Sequence, residues 1–154
     1  MREEFLSEAI RLSIESVRSG RGGPFGAVIV KENEIVGRGG NQVTSTNDPT
    51  AHAEIVAIRE ACQHLGVFHL NGCELYASCE PCPMCLAAIY WARIDRVYYA
   101  LSKSHAAEIG FADEFIANEL AKSSERQLPM IQIMRPDALV AFSEWQHSKD
   151  KIEY

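Results

Sequence analysis

No apolar run in the 154-residue chain approaches the roughly 20 residues needed to cross a bilayer as a helix. Met1 to Glu8 carry three Glu and lack the apolar centre of a secretory signal, so a cytoplasmic location is expected. Positive charge is short. Fifteen Lys and Arg stand against 21 Asp and Glu, a formal net charge of -6. An acidic protein does not attract phosphate backbones by bulk electrostatics, which disfavours a nucleic-acid partner, although a local basic groove stays compatible with that balance. Five cysteines, an odd number, cannot form a complete disulfide framework. In a reducing compartment, Cys pairs separated by two residues read as metal or redox sites. Internal repeats, low-complexity stretches and linkers are also missing, and only Lys122 to Gln127 looks like a loose loop. What is present is ordinary globular material, 47% hydrophobic and 23% charged. A chain of this length can bury a core without disulfides, and one domain over residues 1–154 is expected.

Helical periodicity marks Glu3 to Ser19, where Leu6, Ile10, Ile14 and Val17 form an apparent apolar stripe. The breakers of Ser19 to Pro24 end it. Phe25 to Lys31 suits a buried strand, and Ile35 to about Asn41 its hairpin partner. Thr44 to Pro49 is loop-like, and Asp48 or Thr50 caps the helix that carries Ile55, Ile58 and Ala61 and ends near Gly66. Glu74 to Ser78 is a strand. Cys82 to Arg93 is a helix whose prolines, Pro81 and Pro83, sit where a first turn tolerates them. A strand over Arg96 to Leu101, one or two short helices within Ser104 to Leu120, a strand over Met130 to Met134 and a closing helix over Pro136 to Lys151 complete the order. Alternating strands and helices imply a three-layer α/β/α sandwich around one mixed sheet of about five strands.

Two short motifs carry the chemistry. Cys82 and Cys85 are one helical turn apart and point the same way from the start of their helix. The unpaired N–H groups and positive dipole end there favour thiolates. His52 lies near the start of a different helix, so two helix N-termini can hold one metal between them. One nitrogen and two sulfur donors suit zinc and leave the fourth tetrahedral position for water, a catalytic rather than a closed structural arrangement. Such a water becomes a hydroxide nucleophile near neutral pH. Glu54, two residues after His52, faces away from the ligand direction and can shuttle protons between water, ring nitrogen and departing amine. His52-Ala53-Glu54 and Pro81-Cys82-Pro83-Met84-Cys85 together form the zinc-deaminase signature. A lone Cys-x-x-Cys would be weak, because redox pairs and zinc ribbons share it.

On these residues the chain resembles the cytidine-deaminase superfamily, and within it the small bacterial guanine deaminases. The resemblance runs through Gly22-Gly23-Pro24-Phe25-Gly26-Ala27-Val28-Ile29-Val30, Asn47-Asp48-Pro49-Thr50-Ala51-His52-Ala53-Glu54, Ser78-Cys79-Glu80-Pro81-Cys82, Ala88-Ile89-Tyr90-Trp91-Ala92-Arg93 and Ile109-Gly110-Phe111 to the terminal Tyr154. It implies one zinc per chain and hydrolytic deamination of guanine at C2, a step of purine metabolism. It further implies a homodimer whose C-terminal segment completes the partner's site. Substrate contacts carried over by position are Asn41, Phe25, Asp113 and the free carboxylate of Tyr154, with Ala53 and Trp91 beside them. The family often has two Asp after Gly-Phe. Here the run is Ala112-Asp113-Glu114, so Glu114 competes with Asp113 for that role.

Plainer readings exist for several of these residues. Phe25 and Trp91 are core material first, Asn41 suits a turn, Asp113 a helix cap, and Tyr154 a frayed end. Cys79 is expected to pack near the site without ligating, and Cys62 and Cys73 in the core. His64, His69, His105 and His147 carry no motif, and Glu80 orients its loop through backbone hydrogen bonds. Rival functions are a guanosine deaminase, a cytosine or aminotriazine deaminase, and a tRNA adenosine deaminase. The last needs a basic surface, and the C-terminal helix has only Lys149 and Lys151 against Glu144, Asp150 and Glu153. A structural zinc module lacks a fourth protein ligand, and a thiol-redox protein leaves His52 and Glu54 without a task. Metal analysis separates both from a zinc enzyme.

Overall fold

A computed structural model describes residues 2–111, 113–122, 124–133 and 138–154. The hairpin expected around the Glu32-Asn33 turn forms from β1 (Gly26–Lys31) and β2 (Glu34–Gly40), antiparallel with a bulge between Ile29 and Val30. β3 (Cys73–Cys79) pairs antiparallel with β1, and β4 (Arg96–Leu101) pairs parallel with β3. The sheet order is β2-β1-β3-β4. The parallel pair requires a crossover, which a helix provides.

Strand alternation distributes the core. Ala27 and Ile29 of β1, with Leu75 and Ala77 of β3, join the cluster on one side of the sheet. Val28, Val30 and Tyr76 turn the other way, against Phe5. That second side is covered by α1 (Arg2–Arg18). The first side is covered by α3 (Ala53–Leu65) together with α4 (Pro83–Trp91), while α2 (Val43–Thr46) is a short turn between β2 and α3. Helices on both faces of a mixed sheet match the expected layering. Gly39 shows how close α3 comes: a Cβ there would stand 2.0 Å from the Ala53 carbonyl oxygen. After β4 follow α5 (Lys103–Glu108), α6 (Glu114–Ala121) and α7 (Ala138–His147).

Four expectations are corrected. The sheet has four strands, not five. Residues 130–133 form no strand and are exposed, and Met134 lies outside the described residues. Strand propensity expresses packing on neighbours, and this run has no ladder to join within the chain. The stripe expected on α1 is not its buried face. Ile10, Ile14 and Val17 are exposed, while Phe5, Ala9, Ser13 and Ser16 meet the sheet. The helix passes so close to β1 that a Cβ on Gly26 would lie 2.1 Å from the Ala9 carbonyl oxygen, so small side chains fit there and branched ones do not. The start of the Thr44–Pro49 stretch is helical, as part of α2 (Val43–Thr46). Neither Asp48 nor Thr50 caps α3. His52 stands at the cap position, and Asp48 instead accepts the Thr50 N–H at 2.8 Å and its hydroxyl at 2.6 Å, closing the turn before it. The closing helix begins at Ala138, with Pro136 and Asp137 outside the described residues.

Candidate metal centre and catalytic site

The two halves of the motif meet because two helices start side by side. His52 is the N-cap residue of α3, and Cys82 is the N-cap residue of α4, with Pro83 at its first position. Proline there costs no hydrogen bond and presets the backbone for the helix. Cys85 lies one turn on, fully buried. His52 Nδ1 is 3.5 Å from Cys82 Sγ and 3.5 Å from Cys85 Sγ. The three donor atoms all lie within 4.8 Å of one another.

That spacing fits a zinc ion. With bonds of about 2.0–2.1 Å to nitrogen and about 2.3 Å to sulfur, tetrahedral angles put nitrogen and sulfur about 3.5 Å apart. The contacts are therefore the edges of a ligand tetrahedron. The chemistry of the donors agrees. The Cys85 thiol, hydrogen-bonded to Cys82, pulls the Cys82 sulfur down to about 4, so one thiolate is ready at neutral pH. Cys85, which gives that hydrogen bond and is buried, is driven far up; a cation in place of its proton reverses that cause. The hydrogen bond to Cys82 also raises the His52 imidazole.

Glu54, on the first turn of α3, is 8% exposed. Burial raises its carboxyl above the ordinary range. A buried carboxyl beside a metal donor set, with its proton affinity raised, suits proton transfer. Asp113, half-buried, is also raised by burial, and it feels the charges of Cys82 and His52, which places it within electrostatic reach of the centre. It stands at the N-cap position of α6 without a side-chain capping bond. Glu114, by contrast, is exposed.

Phe25 and Asn41 adjoin one another: the Asn41 N–H donates to the Phe25 carbonyl at 3.0 Å. The Phe25 ring packs edge-on against Phe111, with centroids 4.9 Å apart, so Phe111 lies against the loop before β1. Ala53 is buried between Glu54 and the close approach of β2. Trp91 and Tyr154 form a separate group. Their rings are 6.0 Å apart, and Tyr154 lies in a cleft with Ile55, Ile58, Ala88 and Ile152. Among the described residues no hydrogen bond or ring contact joins either to the three donors.

The plainer readings hold for other residues. Cys73 and Cys79 are buried, and all five cysteines are free. Glu80 Oε2 accepts the Lys103 N–H at 3.1 Å, tying the metal loop to α5. His105 Nδ1 meets the Ser102 hydroxyl at 2.8 Å at the start of α5, and His147 Nδ1 meets the Ser143 carbonyl at 2.7 Å. Two contributors had no signal in the sequence pattern. Ser16 of α1 and Ser78 of β3 hold the loop around the site through hydroxyls bonded to the Asn41 carbonyl and the Gly26 N–H.

A family model described as the cytidine and deoxycytidylate deaminase zinc-binding region matches residues 1–101. The chain belongs to that family. Among its members, guanine deaminase of Bacillus subtilis is 52% identical over 153 residues, covering 99% of this chain and 98% of its own. The X-ray structure of guanine deaminase from Bacillus subtilis superposes with a TM-score of 0.95 at 52% identity, over 99% of this chain and 98% of that one. A tRNA-specific adenosine deaminase of Aquifex aeolicus is 45% identical over 109 residues, 70% of this chain and 72% of its own. A guanine deaminase structure from Nitrosomonas europaea gives a TM-score of 0.66 at 28% identity, over 71% of this chain and 63% of that one. The named relatives include a guanine deaminase and a tRNA-specific adenosine deaminase, and the likeness to the Bacillus subtilis guanine deaminase spans 99% of this chain.

Proposed function

We propose that residues 1–154 form one zinc-dependent deaminase unit that converts guanine and water to xanthine and ammonia. The observation that carries this is the buried Glu54 carboxyl beside the His52–Cys82–Cys85 donor set, in a chain similar to a guanine deaminase from end to end. Zinc held by those three residues supplies Lewis acidity and makes a water nucleophilic near neutral pH. Glu54 removes a proton from the water that attacks C2. It then delivers protons to a ring nitrogen and to the amine, which leaves as ammonia. Its raised proton affinity suits both directions of transfer.

Asn41, Phe25 and Asp113 are assigned to the base. Asp113 accepts from ring N–H groups, and its half-buried position favours it over exposed Glu114. Buried polar contacts of this kind discriminate against bases that leave them unpaired. Tyr154 sits beside Trp91 rather than the donor set of its own chain, which supports a role for its carboxylate in a partner's site. Leu128, Met130, Ile131, Ile133 and Phe142 are each between 73% and 83% exposed, apolar surface suited to a homodimer in which the C-terminal segment crosses. A reducing, cytoplasmic setting suits free cysteines that ligate metal. No described helix is long and apolar enough to cross a membrane.

Ammonia release from guanine, guanosine, adenine, cytosine and a tRNA under one set of conditions tests the assignment. Guanine is expected to give the highest kcat/KM. Faster turnover of guanosine or of the tRNA overturns it.

A further inference from the structure

Asn41 has its oxygens fully engaged by the protein. Side-chain Oδ1 accepts the Gly23 N–H at 3.1 Å and the Val43 N–H at 3.2 Å. The main-chain carbonyl accepts the Ser16 hydroxyl at 2.7 Å, and Ser16 is 0% exposed. No hydrogen bond from the amide nitrogen is present among the described residues, yet that nitrogen is not sealed away, since His69 Nδ1 is the buried side-chain atom without a partner there. A carboxamide pinned by its oxygen offers only its NH2, a donor. Gly22 makes room for this arrangement. A Cβ at that position would stand 2.3 Å from Asn41 Oδ1 and 2.4 Å from its main-chain oxygen.

We propose that Ser16 and Gly22 are positioning residues for substrate recognition, fixing Asn41 so that its NH2 meets an acceptor on the bound base. The preferred base then presents a carbonyl oxygen or an unprotonated ring nitrogen at that edge. A base presenting N–H there leaves two donors facing each other, which costs binding. The inference rests on Asn41 touching substrate, as assigned above.

Three kinetic comparisons test it, with zinc content and Tm measured on every variant. Asn41→Asp keeps an oxygen for both backbone N–H groups and replaces the donor by an acceptor. It is expected to raise KM for guanine about a hundredfold with Tm little changed. Ser16→Ala is expected to raise KM about tenfold with kcat within about twofold. In an Asn41→Ala background, Ser16→Ala is expected to have no further effect on kcat/KM, because its action passes through the missing carboxamide. Gly22→Ala, in the loop, gives the same readout should loss of the buried hydroxyl unfold α1. A Ser16→Ala or Gly22→Ala effect that persists at full size without the Asn41 side chain overturns the positioning role, as does a fall in Tm with KM unchanged. Wild-type KM in Asn41→Asp overturns instead the assignment of Asn41 to the substrate.

Discussion

In the central strands β1 and β3 the large apolar side chains are sealed in: Ile29, Leu75 and Tyr76 are at most 1% exposed. Beyond β4 the same residue types lie open, as at Ile131 (83%) and Phe142 (77%). Among the described residues none of α5, α6 and α7 shares a broad interface with another element, whereas α1 and α3 each lie across the sheet. The metal donors and Glu54 lie with the sealed core, and of the later residues Asp113 comes within electrostatic reach of them. One region is closed by its own packing and holds the chemistry. The other presents apolar surface, which the homodimer proposed above would cover. Substitutions in the two regions are therefore expected to act differently.

The largest expected effect lies at the chemical centre. Glu54→Gln should retain zinc and Tm while turnover falls by about 10²–10⁴. Near-normal turnover with zinc bound would remove the proton-shuttle role and with it the contrast. Next come paired truncations. Leu75→Ala should cost about 2–5 kcal/mol by leaving a hole in the closed core. Ile131→Ala should move single-chain stability by no more than about 0.5 kcal/mol, yet weaken self-association in sedimentation measurements. Equal losses at the two sites, independent of protein concentration, would erase the distinction between the regions. Deleting Tyr154 should lower kcat/KM for guanine about tenfold with Tm almost unchanged, on the scale of one lost charge-assisted hydrogen bond. Unchanged kinetics would take the terminal carboxylate out of the site.

The smallest effect is expected at Asp48. Its bonds with Thr50 hold its carboxyl below the ordinary value of 3.8. A depressed carboxylate lends stability that is fully present above its unfolded value and is lost as pH falls through the lowered folded one. Asp48→Asn should therefore lower Tm slightly at pH 7, and the gap from the unaltered protein should close on acidification below about pH 4. A gap that stays constant down to pH 2 would show that the turn draws nothing from the charge.

How much of this was legible beforehand differs by residue. The metal ligands were, because one helical turn brings Cys82 and Cys85 together and the helix starts follow from local proline and strand signals. The first four strands were legible for the same kind of reason. The buried face of α1 was not. The periodicity of Ile10, Ile14 and Val17 points the wrong way, since the distance between α1 and β1 is set by Gly26 and Ala9 meeting in space. The run Met-Ile-Gln-Ile at 130–133 has strand composition without a strand, because pairing belongs to two segments and never to one.

Local spacing along the chain thus determined the candidate donor set, the placing of Glu54 beside it and the alternation of elements, because each depends on neighbours within a turn or a strand. Only the tertiary structure decided that His52 meets two cysteines 30 and 33 positions away, that Ser16 and Gly22 hold Asn41, and that the last third leaves its apolar side chains uncovered. Those are matters of close packing between distant segments, where a single methyl group or hydroxyl sets the distance.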